Sequence, residues 1–324
     1  MPAAIDQYAA TLADVCAATK RIAVLAHRTP LMTCATLDAL AGRSLYFKCE
    51  NLQKVGAFKF RGACNAVMRL SDSAAARGVV THSSGNHAQA LALAAKLRGI
   101  AAHIVMPKNS AAVKIRAVEG YGAKVYLCEP NQAARESMAT DVVAKTGGSL
   151  IPPYNHPDVI AGQGTLALEM LEDQPDLDAI IAPIGGGGMV SGVCIAAKGI
   201  KPSIRLFAAE PTGADDAARS MKTGQLQPQG KVNTIADGLL TAMGDLTWPI
   251  VRDHVDRVIN VADEQIIAAM RMVWERMKLV IEPSAATSVA VALSDEFKAL
   301  PGMSNVGVVL SGGNVDLDTL PWVR

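Results

Sequence analysis

Aromatic side chains are scarce in this sequence, at 4% of 324 residues, and charged ones are few, at 19%, while apolar residues make up half. A large core of Ala, Val, Ile and Leu is therefore expected, and a disordered chain, which trades apolar bulk for charge, is excluded. Neither sign of charge predominates: 31 Lys and Arg against 30 Asp and Glu leave a net +1. With no basic run interleaved with aromatics there is no field to draw a nucleic acid. The six cysteines (Cys16, Cys34, Cys49, Cys64, Cys128, Cys194) include no CxxC pair. A chain of this length needs no disulfide staples, so they read as reduced, mostly buried thiols of a cytoplasmic protein. The first 21 residues lack the basic start and unbroken apolar stretch of a secretory signal, because Asp6 and Asp14 interrupt them. The longest uncharged window, 179–197, contains Pro183, four successive glycines and Gly192. Strand, loop and helix account for it better than a membrane span.

What the sequence does have is a repeated alternation of β-rich and helical stretches. Strands at 78–81, 102–106 and 124–127 each lead into a helix, at 86–97, 111–121 and 131–145. That order predicts parallel βαβ units with right-handed crossovers. A second series places strands at 179–183, 205–209, 258–261 and 306–310, and Ile266, Met270, Val273, Trp274 and Met277 recur at helical spacing over 263–278. Ahead of both series lie a helix at 7–20, an isolated strand at 45–49 and a segment around Lys59; no further module is expected after Leu310. The fold class is α/β, with two open, mostly parallel twisted sheets flanked by helices. Ligands of such sheets gather beyond the carboxyl ends of the strands. Here those ends carry HSSGNH, GGGGM, EPTGADD and SGGN, loops suited to a phosphorylated cofactor.

The glycines Gly185, Gly186, Gly187 and Gly188 follow an apolar strand and open a helix near Met189. Without Cβ atoms the backbone approaches an anion closely, and free N–H groups at a helix start bind phosphate. The spacing is neither GxGxxG nor GxxxxGK[ST], so a compact monophosphate fits better than a nucleotide. Lys59, in VGAFKFRGACNAV, opens a helical segment with one apolar face; taken alone, it reads as a snorkelling surface lysine.

Lys59, Ser83, Ser84, Asn86, the four glycines and Ser311 together resemble, in order and spacing, the fold-type II pyridoxal-phosphate enzymes of the serine and threonine dehydratase and serine racemase group. The resemblance runs through FKCENLQKVGAFKFRGA, THSSGNHAQALALAAKL, VIAGQGTLALEML, PIGGGGMVSG, AAEPTGADD, IADGL, VWERMKLVIEPSAA and VLSGGNVD, nearly the whole chain. It implies a tryptophan synthase β-like fold, with a large cofactor domain of residues 1–68 and 152–324, a small domain of 69–151 and the active site in the cleft between them. It implies pyridoxal 5'-phosphate as cofactor, bound through Lys59 as the Schiff-base lysine, with Phe58, Asn86, the four glycines, Met189 and Ser311 around it. Asn86 would contact the ring hydroxyl, and Ser83, Ser84, Asn86 and His87 would cradle the substrate carboxylate at a helix N-terminus. Ser311 would face the pyridine nitrogen; a neutral hydroxyl there leaves the ring a weaker electron sink than an Asp would, favouring β-elimination over transamination. Ser84 would stand opposite Lys59 as the second base of a racemase. Glu210, Asp216 and the Ala214 carbonyl resemble an oxygen-only site for Mg²⁺, Mn²⁺ or Ca²⁺. A homodimer is expected, with a possible ATP effector site at Lys54, Lys278 and Asn314.

Where the sequence departs from the family, Ala57 and Ala88 replace a frequent serine and glycine, and Tyr154, Asn155 and His156 fill a variable stretch. The combination VGAFKFRGA, SSGNHAQA and IPPYxHPDVIAGQG looks most like the branch that dehydrates 3-hydroxyaspartate to oxaloacetate and ammonia, with Arg135 and His156 as cations for its second carboxylate. The expectation is therefore a dehydratase of a small β-hydroxy amino acid, 3-hydroxyaspartate first and serine or threonine next. The alternative is a serine racemase with side dehydratase activity. A ligand sensor that kept the fold and lost the chemistry is disfavoured by the presence of Lys59. The short tail leaves no room for the regulatory domain of biosynthetic threonine dehydratases.

Overall fold

The structure is a computed structural model describing residues 8–322, the Val113 side chain excepted. Two sheets organise it. The larger has six strands in the order β1-β2-β10-β7-β8-β9: β1 (Leu31–Met32), β2 (Ser44–Cys49), β7 (Ala179–Pro183), β8 (Arg205–Pro211), β9 (Arg257–Val261) and β10 (Asn305–Leu310). The smaller runs β5-β4-β3-β6, with β3 (Val79–His82), β4 (Ala102–Pro107), β5 (Lys124–Cys128) and β6 (Ser149–Leu150). All pairings are parallel except β1 with β2. The strand expected to stand alone, β2, is the neighbour of β10, with Asn305 opposite Ser44 and Leu310 opposite Cys49.

Helices cover both faces of each sheet, as buried parallel strands require. On the larger sheet, α1 (Leu12–Ile22), α8 (Pro157–Asp173), α9 (Gly188–Ile200) and α11 (Trp248–His254) share one core, while α2 (Ala35–Ala41), α12 (Asp263–Met277), α13 (Pro283–Leu293) and α14 (Asp295–Lys298) share the other. On the smaller sheet the period-two alternation of strands decides the partners. Val79, Ile104 and Met106 meet α3 (Lys59–Arg69) and α5 (Asn86–Arg98), whereas Val80 and Val105 meet α7 (Gln132–Thr146). The remaining helices are α4 (Asp72–Ala75), α6 (Ala112–Gly120) and α10 (Asp216–Thr223). Phe60, Ala63, Cys64, Ala66 and Val67 pack with Val79 and Ile104, and α3 also lies against α8, so the Lys59 helix bridges the two sheets. Helix α1 starts where the Thr11 side chain caps it and the Asp14 carboxylate accepts from the Thr11 N–H; Gln7, where the helix was expected to begin, lies outside the described residues. Among the described residues no helix is long and apolar enough to cross a membrane, and the six cysteines are free thiols, Cys49, Cys64, Cys128 and Cys194 being buried.

Helix α8 fixes the two segments that matter most. A Cβ on Gly162 would stand 2.6 Å from the Gly62 Cα, and one on Gly164 would stand 2.7 Å from the Gly192 carbonyl oxygen. Glycine at these positions lets α8 lie directly against α3, which begins at Lys59, and against α9, which begins at the glycine run.

Candidate active site

The carboxyl ends of β3, β7 and β10 open on a cleft of about 590 Å³ between the sheets. It brings together Phe58, Lys59, Ser83, Ser84, Asn86, His87, Arg135, the glycines 185–188, Met189 and Ser311. Lys59 is the first residue of α3, and its ammonium donates to the Pro153 carbonyl at 2.7 Å. Burial pushes its pKa down to about 8, against the pull of the Glu282 carboxylate. An appreciable neutral fraction near physiological pH is the state an amine needs to attack a carbonyl.

The glycine run reaches the cleft at the N-terminus of the thirteen-residue α9. Among the described residues no backbone carbonyl accepts from the N–H groups of Gly185, Gly186, Gly187, Gly188 or Met189. Such a row of free donors at a helix start suits a phosphate dianion. Ser311, 2% exposed, lines the opposite part of the cleft after β10, and its carbonyl accepts from the Phe58 N–H at 3.0 Å, which ties the residue before Lys59 to the end of that strand. A neutralisable lysine, an anion cradle and a buried hydroxyl in one cleft fit a phosphorylated, carbonyl-bearing ligand.

Asn86 and His87 open α5. The Asn86 amide donates to both Glu282 oxygens, at 3.0 and 3.2 Å, and its Oδ1 accepts from Asn314 Nδ2 at 2.9 Å. Asn314 also donates to the Val55 carbonyl; its amide is thus committed to Val55 and Asn86. Of the other residues expected at an effector site, Lys54 lies over the Phe60 ring at 5.7 Å and Lys278 donates to the Glu275 carbonyl.

Two residues expected at carboxylates have other ring partners in the structure. The His87 ring is 1% exposed, with Nε2 at 3.0 Å from the Ile151 carbonyl oxygen and Nδ1 without a partner among the described residues. Burial, then the Lys59 charge, pushes its pKa down to about 3. A neutral imidazole whose N–H is spent on Ile151 has no proton left for a carboxylate; what His87 can offer is its backbone N–H at the start of α5. His156 is absent from the cleft lining: its Nδ1 accepts from the Asp158 N–H at 3.2 Å and caps α8. Arg135 lines the mouth, with no carboxylate in salt-bridge distance among the described residues.

Glu210 and Asp216 lie apart, at the turn from β8 into α10, and are 2% and 1% exposed. Glu210 accepts from the Ala217 and Ala218 N–H groups and from Asn260; Asp216 accepts from the Met243 N–H. Burial raises their pKa values to about 7 and about 6. Neither has a salt bridge among the described residues, nor is there a cluster of three His, Cys, Asp or Glu. Two buried, uncompensated carboxylates fit a hard divalent cation, provided the Ala214 carbonyl and water complete the shell.

Sequence reasoning passed over several cleft residues. His82 ends β3 in the lining, its pKa lowered by burial. Lys114 of α6 and Asp237 pair at 3.1 Å across the mouth. Glu282, 4% exposed, is raised to about 7 by burial and then by Asp237. The signal for Glu282 was present in VIEPSAA, an acidic residue set in an apolar run.

Residues 22–312 match the family described as pyridoxal-phosphate dependent enzyme. A serine racemase of Arabidopsis thaliana is 53% identical over 99% of this chain and 98% of its own. A beta-hydroxyaspartate dehydratase of Paracoccus denitrificans is 48% identical over 97% and 99%. The solved structure of maize serine racemase superimposes with a TM-score of 0.95 at 52% identity, covering 97% of this chain and 96% of that one. With the lysine, glycine loop and serine of the cleft embedded in full-length likeness, the chain belongs to the fold-type II pyridoxal-phosphate dependent enzymes.

Proposed function

We propose that this enzyme racemises serine and, in a side reaction, dehydrates serine and related β-hydroxy amino acids. This reverses the order expected from sequence, where 3-hydroxyaspartate dehydration came first; serine racemases at 52–53% identity now outweigh the dehydratase at 48%. The observation that carries the reading is that Lys59 and Ser84, from different elements, line one cleft with the glycine loop. When bound, pyridoxal 5'-phosphate supplies a sink for the electron pair left at the substrate's α-carbon. Lys59 removes the α-proton and Ser84 returns one, or the reverse for the other enantiomer. The N–H groups at the start of α5 and the Ser83 hydroxyl hold the α-carboxylate. In the side reaction the Cα–H and Cβ–O bonds break, water leaves, and the enamine released hydrolyses to a 2-oxo acid and ammonia. A divalent cation on Glu210, Asp216 and the Ala214 carbonyl would neutralise their charge outside the reacting centre.

The test follows D-serine and pyruvate from L-serine, and oxaloacetate from 3-hydroxyaspartate, with purified holoenzyme. Wild type is expected to form D-serine, and Ser84→Ala to lose it while still eliminating water from L-serine. Rapid oxaloacetate formation without D-serine would sink the racemase reading. Arg135 favours that second reading, since a guanidinium at the mouth that meets no carboxylate among the described residues suits a substrate's second carboxylate. On it, Arg135→Ala raises KM for 3-hydroxyaspartate roughly 10- to 100-fold, the worth of a charged hydrogen bond, and leaves serine unaffected.

A further inference from the structure

Residues 151–156 run from the smaller sheet into α8, and successive groups of this crossover hold successive parts of the cleft. The Ile151 carbonyl accepts from His87, and the Pro153 carbonyl accepts from the Lys59 ammonium at 2.7 Å. Tyr154 comes next. A Cβ on Gly186 would lie 2.3 to 2.5 Å from the Tyr154 ring, and one on Gly188 would lie 2.8 Å from the Tyr154 Cα and Cβ. The glycine run is therefore laid directly on this tyrosine, which explains glycine at two of its positions without invoking a ligand. Asn155 works on the far side: its Oδ1 accepts from the Leu246 N–H at 3.0 Å and its Nδ2 donates to Asp245 at 2.6 Å. The Thr247 hydroxyl then donates to the Gly186 carbonyl at 2.9 Å. Gly186 is thus gripped from two directions, by the Tyr154 ring and by Thr247, and both supports trace back to neighbouring residues of the crossover.

We propose that Pro153, Tyr154 and Asn155 form a spacer that sets the position of the glycine loop relative to Lys59, with Tyr154 as the positioning residue for the phosphate end of the cofactor. The proposal rests on the reading of the glycine loop as the phosphate site. A cofactor held at both ends, by a lysine and by a phosphate cradle, binds tightly only when that separation is right, because misplacing one anchor forfeits its share of the binding energy. Removing the Tyr154 ring leaves a void under Gly186 and Gly188 while the Pro153 carbonyl, a backbone group, stays on Lys59. The loss is then confined to the phosphate end.

The test titrates apoprotein with pyridoxal 5'-phosphate and with pyridoxal, which lacks the phosphate, by absorbance and by quenching of intrinsic fluorescence. Tyr154→Ala is expected to weaken pyridoxal 5'-phosphate binding 10-fold or more and to leave pyridoxal binding within 2-fold of wild type. Tyr154→Phe keeps the ring on the glycines and is expected to stay within 3-fold for both, which also guards against a misfolded alanine variant. Equal losses for both ligands in Tyr154→Ala, or no loss for either, overturn the spacer while leaving the phosphate loop in place. A wild type that binds the two ligands equally overturns the loop assignment, and the spacer with it.

Discussion

The Asn86 amide reaches across the cleft from α5 to the Glu282 carboxylate ahead of α13, at 3.0 and 3.2 Å to its two oxygens. This contact ties the smaller sheet to the larger and holds a buried carboxylate close enough to Lys59 to act on its charge. Glu282 raises the Lys59 pKa against the burial that lowers it to about 8. Capture of pyridoxal 5'-phosphate by apoprotein needs the neutral amine, so its rate is expected to climb with pH and level off above about 8. Glu282→Gln removes the opposing charge and moves the midpoint lower. Stopped-flow absorbance across pH 6 to 10 reads it; an unmoved or higher midpoint would refute the coupling.

His87 makes stability depend on acid. Its folded pKa of about 3 lies below the ordinary value of 6.5, so the unfolded chain binds the proton first. The stabilisation is present above pH 6.5 and is lost progressively towards pH 3. Between pH 7.5 and 5 this one residue should cost about 2 kcal/mol, from 1.36 kcal/mol per pH unit below 6.5. Urea unfolding of wild type and His87→Gln at both pH values isolates it. Equal acid sensitivity in the two proteins would show that His87 is not responsible.

The βα alternation was legible because it is local: apolar runs and helical periodicity announced β3 to β5, β7 to β10 and α12 to within a few residues. Pairing was not. β2 joins β10, a neighbour hundreds of residues away in sequence, and nothing in LYFKC says so. Lys59, the glycine run and Ser311 were legible as a motif and share one cleft. What the His87 and His156 rings contact was not legible, because it is set by burial and by backbone. An imidazole with its N–H on Ile151 is neutral, and HPD at a helix start supplies a cap. Tyr154 was noticed as a departure, but its place under Gly186 depends on a crossover packing against a loop more than 30 residues on.

The pair Glu210 and Asp216 predicts a response to cation. Two carboxylates buried to 2% and 1% exposure, with no salt bridge among the described residues, oppose folding when ionised. Mg²⁺, Ca²⁺ or Mn²⁺ should therefore raise the thermal midpoint at neutral pH, by the equivalent of about 2.7 kcal/mol at a hundred times its Kd. Chelator should reverse it, and Glu210→Gln should abolish it. A midpoint indifferent to all three ions would remove the site.

Arg61 predicts the largest single loss of stability. It lies in the first turn of the Lys59 helix, 1% exposed, and pairs with Glu50 at 2.8 Å and Glu169 at 2.7 Å, while Lys48 donates to Glu169 at 2.6 Å. Two cations and two carboxylates close the set inside the core. Arg61→Ala leaves Glu50 with Thr29 as its remaining side-chain donor and unbalances the buried charge. Breaking such a set from one side costs about 3–5 kcal/mol. Arg61→Lys keeps the charge but not the forked geometry, and should fall between. Because the same guanidinium pins the first turn of α3, cofactor affinity should fall with stability in both variants. Urea midpoints and pyridoxal 5'-phosphate titrations on the same samples test the link; an alanine variant within 1 kcal/mol of wild type would contradict it.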